Sequence, residues 1–428
     1  MPRENEALIR QWQVNCTCII IANLALFSIS QKTLWPLLAA LLWINWNHNE
    51  PFSSRTNLIG FLHDNSAWIL PGLAFTLLTT RNAFNDITTG LISGQGELSA
   101  SICRATLYLL MPAALCWIHR QSIHSLATSA QSLFIGLQLK VFTCLALTPL
   151  ITGKLARKGF LLQFPTLKID VSTWTGTYFL VSAGLACVFL WCERKDGNST
   201  RFSNLLVACS LTLGIFSAYS LQNLSCTIAS LLLAALLLRK SLKTKRIAIL
   251  LAGISAALLA ARDTHFVEEL RLKQLLTKND RLEFLIQGAK RFITTPFSSS
   301  YAFDGPPEFQ RPICFKAVDV TFTTGDSCHN YWHTILWDSL RNSGYAGLLL
   351  ALTILTTLAK SLYKAISNHQ RLIAVALCCC LFVMFTTPIV EVGAGEVLPL
   401  MLLIALIAQA QSDDGRPVAP MNSASSSA

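Results

Sequence analysis

Asp326-Ser-Cys-His-Asn-Tyr-Trp-His-Thr-Ile-Leu-Trp-Asp-Ser-Leu-Arg-Asn-Ser-Gly-Tyr-Ala-Gly347 is a polar stretch carrying His329 that runs, through an amphipathic segment, straight into the apolar residues 348–358. Such a passage from polar to apolar sequence is expected where a chain enters a bilayer, because a helix needs about 20 mainly apolar residues to cross a hydrocarbon core of about 30 Å.

The rest of the chain agrees with that reading. Of its 428 residues 52% are hydrophobic and 13% are charged, whereas soluble domains carry about a quarter charged residues. Apolar runs recur from Val14 to Ala410, and about twelve of them are long enough to be candidate spans: 14–30, 33–46, 65–80, 100–118, 132–152, 175–192, 203–219, 222–238, 246–261, 345–359, 372–388 and 396–410. The segment 121–138 can shift register with its neighbour. The expected fold class is therefore all-α: a multi-pass transmembrane helical bundle of about 12 spans with a large extracytoplasmic helical loop.

The net charge of +11 would suggest nucleic acid in a soluble protein, but in a membrane protein it reflects cytoplasmic loops, so no nucleic-acid partner is expected. Arg239, Lys240, Lys243, Lys245 and Arg246 fix one loop inside, and Arg194, Lys195, Arg201, Lys360, Lys364 and Arg371 follow it. The organisation expected is an N-terminal bundle over 1–261 of about nine spans, an outer loop over 262–344, C-terminal spans over 345–410, and a disordered cytoplasmic tail over 411–428. The first span is expected to be uncleaved. One loop breaks the rule: Lys154, Arg157, Lys158 and Lys168 lie outside in this topology, where they can hold an anionic ligand.

The outer loop has the length to form a helical cap. Asn279-Asp280-Arg281-Leu282-Glu283 reads as an Asp-capped helix start with Glu in the first turn, closed by Pro296, and Leu282, Leu285, Ile286, Ala289 and Ile293 fall on one face. Arg281 then sits in the first turn, where a guanidinium and free backbone N–H groups can hold a phosphate. Arg262, Lys290 and Arg291 add positive charge, partly offset by Glu268, Glu269 and Glu283.

A second helix is expected near Cys328 with Asp326 or Ser327 as its cap. His329 would then lie in its first turn, where the helix dipole favours the neutral, proton-accepting imidazole required of a general base. His329 and His333 are spaced i, i+4, which on a helix can present two metal ligands, but no third ligand beyond Asp326 and no HExxH pattern appears. No metal is expected. Tyr331, Trp332 and Trp337 read as aromatics seated at the membrane interface. Of 14 cysteines most lie in apolar runs; Cys314 and Cys328 share the outer loop, in an oxidising compartment where such a pair tends to form a disulfide.

Arg281 through Phe284, then Ala289 to Pro296, His329-Asn330, and Gly344-x-x-Gly347 opening the next span resemble the O-antigen ligase and O-antigen polymerase superfamily over about 220–358. The resemblance implies a GT-C-like glycosyltransferase of the bacterial inner membrane with a periplasmic active site and no cofactor. It would transfer a glycan from an undecaprenyl-pyrophosphate-linked donor to another glycan or a lipid A core acceptor, in contact with membrane lipids. It makes Arg281 the pyrophosphate ligand and His329 the base, with Arg262, Arg291, Lys168, Arg157 and Asn330 as substrate-binding candidates. The family's Ser-Arg pair is Ser220-Leu221-Gln222 here, so a second phosphate-binding arginine is absent; Lys168 or Arg157 can replace it. A transporter or flippase of lipid-linked glycans, or a non-catalytic assembly factor, is the alternative, and the residues do not decide between ligase and polymerase.

Overall fold

The computed structural model describes residues 59–60, 62–63, 65–88, 126–137, 161–164, 169–172, 175–195, 280–318, 324–329, 332, 334–386 and 394–413. They are mainly helical, in agreement with the expected class. The helices are α1 (Ser66–Thr88), α2 (Leu126–Leu137), α3 (Thr175–Lys195), α4 (Asp280–Thr294), α5 (Pro307–Gln310), α6 (Ile335–Ser367), α7 (Arg371–Thr386) and α8 (Ala394–Asp413). Two antiparallel hairpins interrupt them: β1 (Leu161–Phe164) with β2 (Ile169–Ser172), and β3 (Ile313–Val318) with β4 (Thr324–His329).

Residues from α1, α2, α3, α6, α7 and α8 build one continuous apolar core. Its centre is where α3 meets α7 and α8, and close approach there depends on small side chains. A Cβ at Gly184 of α3 would stand 2.5 Å from a methyl carbon of Leu403 on α8, so glycine lets the two helices come together where no larger residue fits. α3 and α7 each bury most of their length, while α1 shows an exposed apolar stripe of Leu70, Leu73, Leu77 and Phe84 beside its buried Trp68, Ile69 and Phe75.

Among the described residues, α6 is the one helix long and apolar enough to cross a membrane; the apolar stretches Leu126–Leu137, Arg371–Phe385 and Leu400–Gln411 are shorter. Helices α1, α3, α7 and α8 coincide with the expected spans at 65–80, 175–192, 372–388 and 396–410. Those expected at 14–30, 33–46, 100–118, 203–219, 222–238 and 246–261 lie outside the described residues. α2 begins earlier than the span expected at 132–152, inside the segment whose register was ambiguous.

α6 is two helices in line. Ser343 (φ −139°, ψ 20°) and Gly344 (φ 59°, ψ −154°) leave helical geometry, and the chain resumes at Tyr345. The piece from Tyr345 to Ser367 rises roughly 34 Å at 1.5 Å per residue, enough to cross a hydrocarbon core. The break frees the Ala346 N–H, which donates to the carbonyl of Ala302 at 2.9 Å. Gly344 is required twice over: its positive φ disfavours any L side chain, and a Cβ there would collide with the Tyr301 carbonyl oxygen and come within 2.8 Å of that of Asp304.

Candidate functional site

The segment 284–340 has its own small core of Phe284, Phe309, Ile313, Trp332 and Leu340, with Trp337, Tyr345 and Leu348 packed against it. Trp332 is its centre. Its ring stacks on Phe309 with centroids 4.8 Å apart, its Nε1 donates to the Phe309 carbonyl at 3.2 Å, and the Arg291 guanidinium covers it at 4.9 Å. This corrects the interfacial role expected for Trp332, which is 1% exposed. An indole whose N–H has a protein acceptor gains nothing from headgroups and is worth more in the core.

The start of α6 is built around the same tryptophan. Thr334 is the N-cap, its hydroxyl accepting from the Trp337 N–H at 3.2 Å. One turn on, Asp338 is fully buried and its Oδ1 accepts from the backbone N–H of Trp332 at 2.8 Å. A charged acceptor on a buried N–H is among the stronger protein hydrogen bonds, so residues 332 and 334 are held on both sides of His333.

The helix expected to start near Cys328 therefore starts at Ile335, and 324–329 is a strand. The run Ile313-Cys-Phe-Lys-Ala-Val318, rich in β-branched and aromatic residues, is the signal that reads as strand. A second run rich in β-branched and aromatic residues, 321–324, precedes Gly325. Asp326 faces Lys316 in the ladder rather than capping a helix, and His329 occupies the last position of β4, opposite Ile313. Two readings fall with that: His329 does not lie in the first turn of a helix, and His329 and His333 do not share a helix face as i, i+4 metal ligands.

Arg281 is where the sequence places it, in the first turn of α4, with Pro296 beyond the helix end. The packed face of α4 is not the one expected. Phe284 and Gly288 are buried, Arg291 is half-buried and Thr295 is buried, whereas Ile286, Ala289 and Ile293 face outward. Gly288 decides this, because a Cβ there would collide with Trp337 Nε1; the indole lies flat against the helix only where a glycine leaves room.

Arg291, expected among the substrate-binding cations, has a structural task. Its Nη1 donates to the carbonyls of Glu308 and Arg311, both at 2.7 Å, and its Nη2 to that of Pro312 at 3.2 Å. Burial, and then the neighbouring Arg311 charge, lower its pKa from the ordinary value. Arg262, Arg157 and Asn330 lie outside the described residues, as does Lys168, in the connection 165–168 that closes the β1–β2 hairpin. Cys314 is disulfide-bonded, and Cys328 is the residue directly opposite it.

Sequence reading missed the polar collar at the α6 break. Arg81 of α1 pairs with Asp304 at 3.2 Å and lies 5.3 Å over the Phe303 ring. Asn82 Nδ2 donates to the Asn342 carbonyl and, at 3.3 Å, to the Ser343 hydroxyl. Gln310 Nε2 donates to the Arg341 carbonyl at 2.9 Å, where Gly305 packs too closely for a Cβ. The end of α1 and the loop 299–310 thus hold carbonyls left without helical partners, as buried breaks demand. The available signal was Arg81-Asn82 directly after the apolar run of α1.

These elements bring segment 284–340 against the break in the apolar helix α6, with Arg281 in the first turn of α4 and His329 at the end of β4. No family model matches the chain, and no curated protein matches it.

Proposed function

We propose that the protein is an inverting, metal-independent membrane glycosyltransferase that moves a glycan from undecaprenyl pyrophosphate to an acceptor sugar hydroxyl in surface polysaccharide or lipopolysaccharide assembly. The observation that carries the reading is the pinned start of α6. Trp332 and Thr334 are both buried and hydrogen-bonded, so the segment that leads from His329, the last residue of β4, into α6 is tied down at its α6 end. A general base has to be fixed to act.

In this scheme His329, at the end of β4, takes the proton of the acceptor hydroxyl as its oxygen attacks the anomeric carbon. The bond from that carbon to the pyrophosphate oxygen breaks, and the departing diphosphate keeps the electron pair. Arg281 at the start of α4 stabilises the developing charge together with that helix's N–H groups. Lys168 and Arg157 supply the remaining cation, standing in for the arginine replaced by Gln222. About twelve spans carry the site, in the bacterial inner membrane with the outer segment in the periplasm.

The test is transfer by the purified protein in proteoliposomes with a lipid-pyrophosphate-linked oligosaccharide and an acceptor glycan. Transfer that persists in EDTA is the expected result, since protein cations do the work of a divalent ion. Transfer abolished by chelation and restored by Mg²⁺ or Zn²⁺ would remove the metal-independent mechanism, and the absence of transfer with either acceptor would remove the enzymatic reading.

A further inference from the structure

The outward face of α4 has a use that the catalytic reading leaves open. Ile286, Ile293 and Phe297 are 40%, 81% and 86% exposed, and Ala289 lies exposed between the first two. Ile286 and Ile293 are two turns apart on one face. The surface does not stop at the helix. Phe297 packs on Tyr345 with ring centroids 4.5 Å apart, Phe292 meets the same ring at 6.5 Å, and the Tyr345 hydroxyl donates to the Pro296 carbonyl at 3.4 Å. Tyr345 is the first residue of the apolar piece of α6, and one and two turns further along Leu349 and Leu352 are 66% and 45% exposed.

We infer that α4 is an interfacial anchor, lying in the plane of the membrane with this face buried in the outer leaflet. The inference rests on the reading of α6 as a membrane span. Three observations select lipid as the occupant. The exposed patch is continuous with the outward face of the spanning piece, so whatever solvates Leu349 and Leu352 reaches Phe297. Tyr345, an amphipathic ring at the first turn of that piece, sets the patch at the depth where aromatic residues meet headgroups. Ile286 and Ile293, two turns apart, reach one depth together only if the axis runs along the membrane surface, the posture of amphipathic helices whose apolar face sinks about 5–10 Å into the leaflet.

The consequence concerns the substrate. A 15-residue helix lying flat keeps its first turn, with Arg281, at the headgroup level, which is where the pyrophosphate of a lipid-linked donor must sit while its polyprenyl tail stays in the hydrocarbon. The anchor thus sets the height of the anion site and selects a lipid-borne over a soluble donor.

Photocrosslinking of the full chain in proteoliposomes tests this, with p-benzoyl-phenylalanine at Ile293, Phe297, Leu352 and Arg311 and labelled phospholipid as the target. Adducts at Ile293 and Phe297 within about twofold of those at Leu352, with Arg311 near background, are expected for an apolar face buried in a leaflet. Lipid adducts at Leu352 without any at Ile293 and Phe297 would overturn the anchor and leave the span intact. Protein dimers from Ile293 or Phe297 in place of lipid adducts would also overturn it, making the face a contact between copies. Absence of adducts at Leu352 itself would overturn the spanning reading and the anchor together.

Discussion

The buried carboxylate of Asp338 accepts the backbone N–H of Trp332 at 2.8 Å, so one side chain on the first turns of α6 ties down the segment that leads into it. Removing that acceptor leaves a buried N–H unsatisfied, at a cost of about 1–3 kcal/mol. Asp338→Ala should loosen the segment that leads from β4 into α6, read as faster amide exchange at 332–337, and should lower transfer with it. Asp338→Asn keeps an acceptor oxygen and should recover part of both. Exchange unchanged in Asp338→Ala would remove this residue from the positioning of the site.

Gly344 is the second point where one atom decides the local fold. Its φ of 59° and the two carbonyls facing its Cα make Gly344→Ala costly: about 1–2 kcal/mol for the left-handed backbone, with the collisions in addition. Thermal unfolding in detergent should fall by several degrees, and protease sensitivity should rise first in 299–310, which hydrogen-bonds across the break. Gly347→Ala is the comparison; a Cβ there also crowds the Ser339 carbonyl, but its φ is ordinary, so it should cost less.

The disulfide is the third. Cys314 is exposed and disulfide-bonded, and the ladder makes Cys328 the expected second half. Closing a loop of about 15 residues stabilises by about 3 kcal/mol in the chain-entropy estimate. Mass spectrometry after non-reducing digestion should find the peptides of Cys314 and Cys328 joined, and Cys314→Ser should raise amide exchange along β3 and β4 while leaving α6 protected. A Cys314 bonded to any other cysteine would contradict the pairing.

How much of this the sequence disclosed depends on how local the cause is. The apolar runs that became α1, α3, α7 and α8 were legible because twenty consecutive residues carry the signal. So was α4, whose Asp280 start and Pro296 stop are read within the helix itself. The packed face of α4 was not legible: Ile286 and Ile293 are the more hydrophobic residues, yet Gly288 is buried because the flat indole of Trp337 needs a surface without a Cβ, and that partner lies far along the chain. The start of α6 was misplaced for a related reason. Asp326, Ser327 and Thr334 are all good caps by type, and the strand pairing of 324–329 with 313–318, a long-range contact, excludes the first two. Arg81 and Asn82 acquire meaning only once α1 stands beside the α6 break.

The measurement that tests the account most directly compares single-turnover transfer by purified His333→Ala, His329→Ala and Arg281→Ala proteins in proteoliposomes, with insertion and folding matched to the parent. A base or a leaving-group cation is worth roughly two to four orders of magnitude in rate. The account predicts losses of that size for His329→Ala and Arg281→Ala and a far smaller loss for His333→Ala. Near-parental transfer by His329→Ala, with the large loss at His333→Ala instead, would contradict it and remove the base from the end of β4.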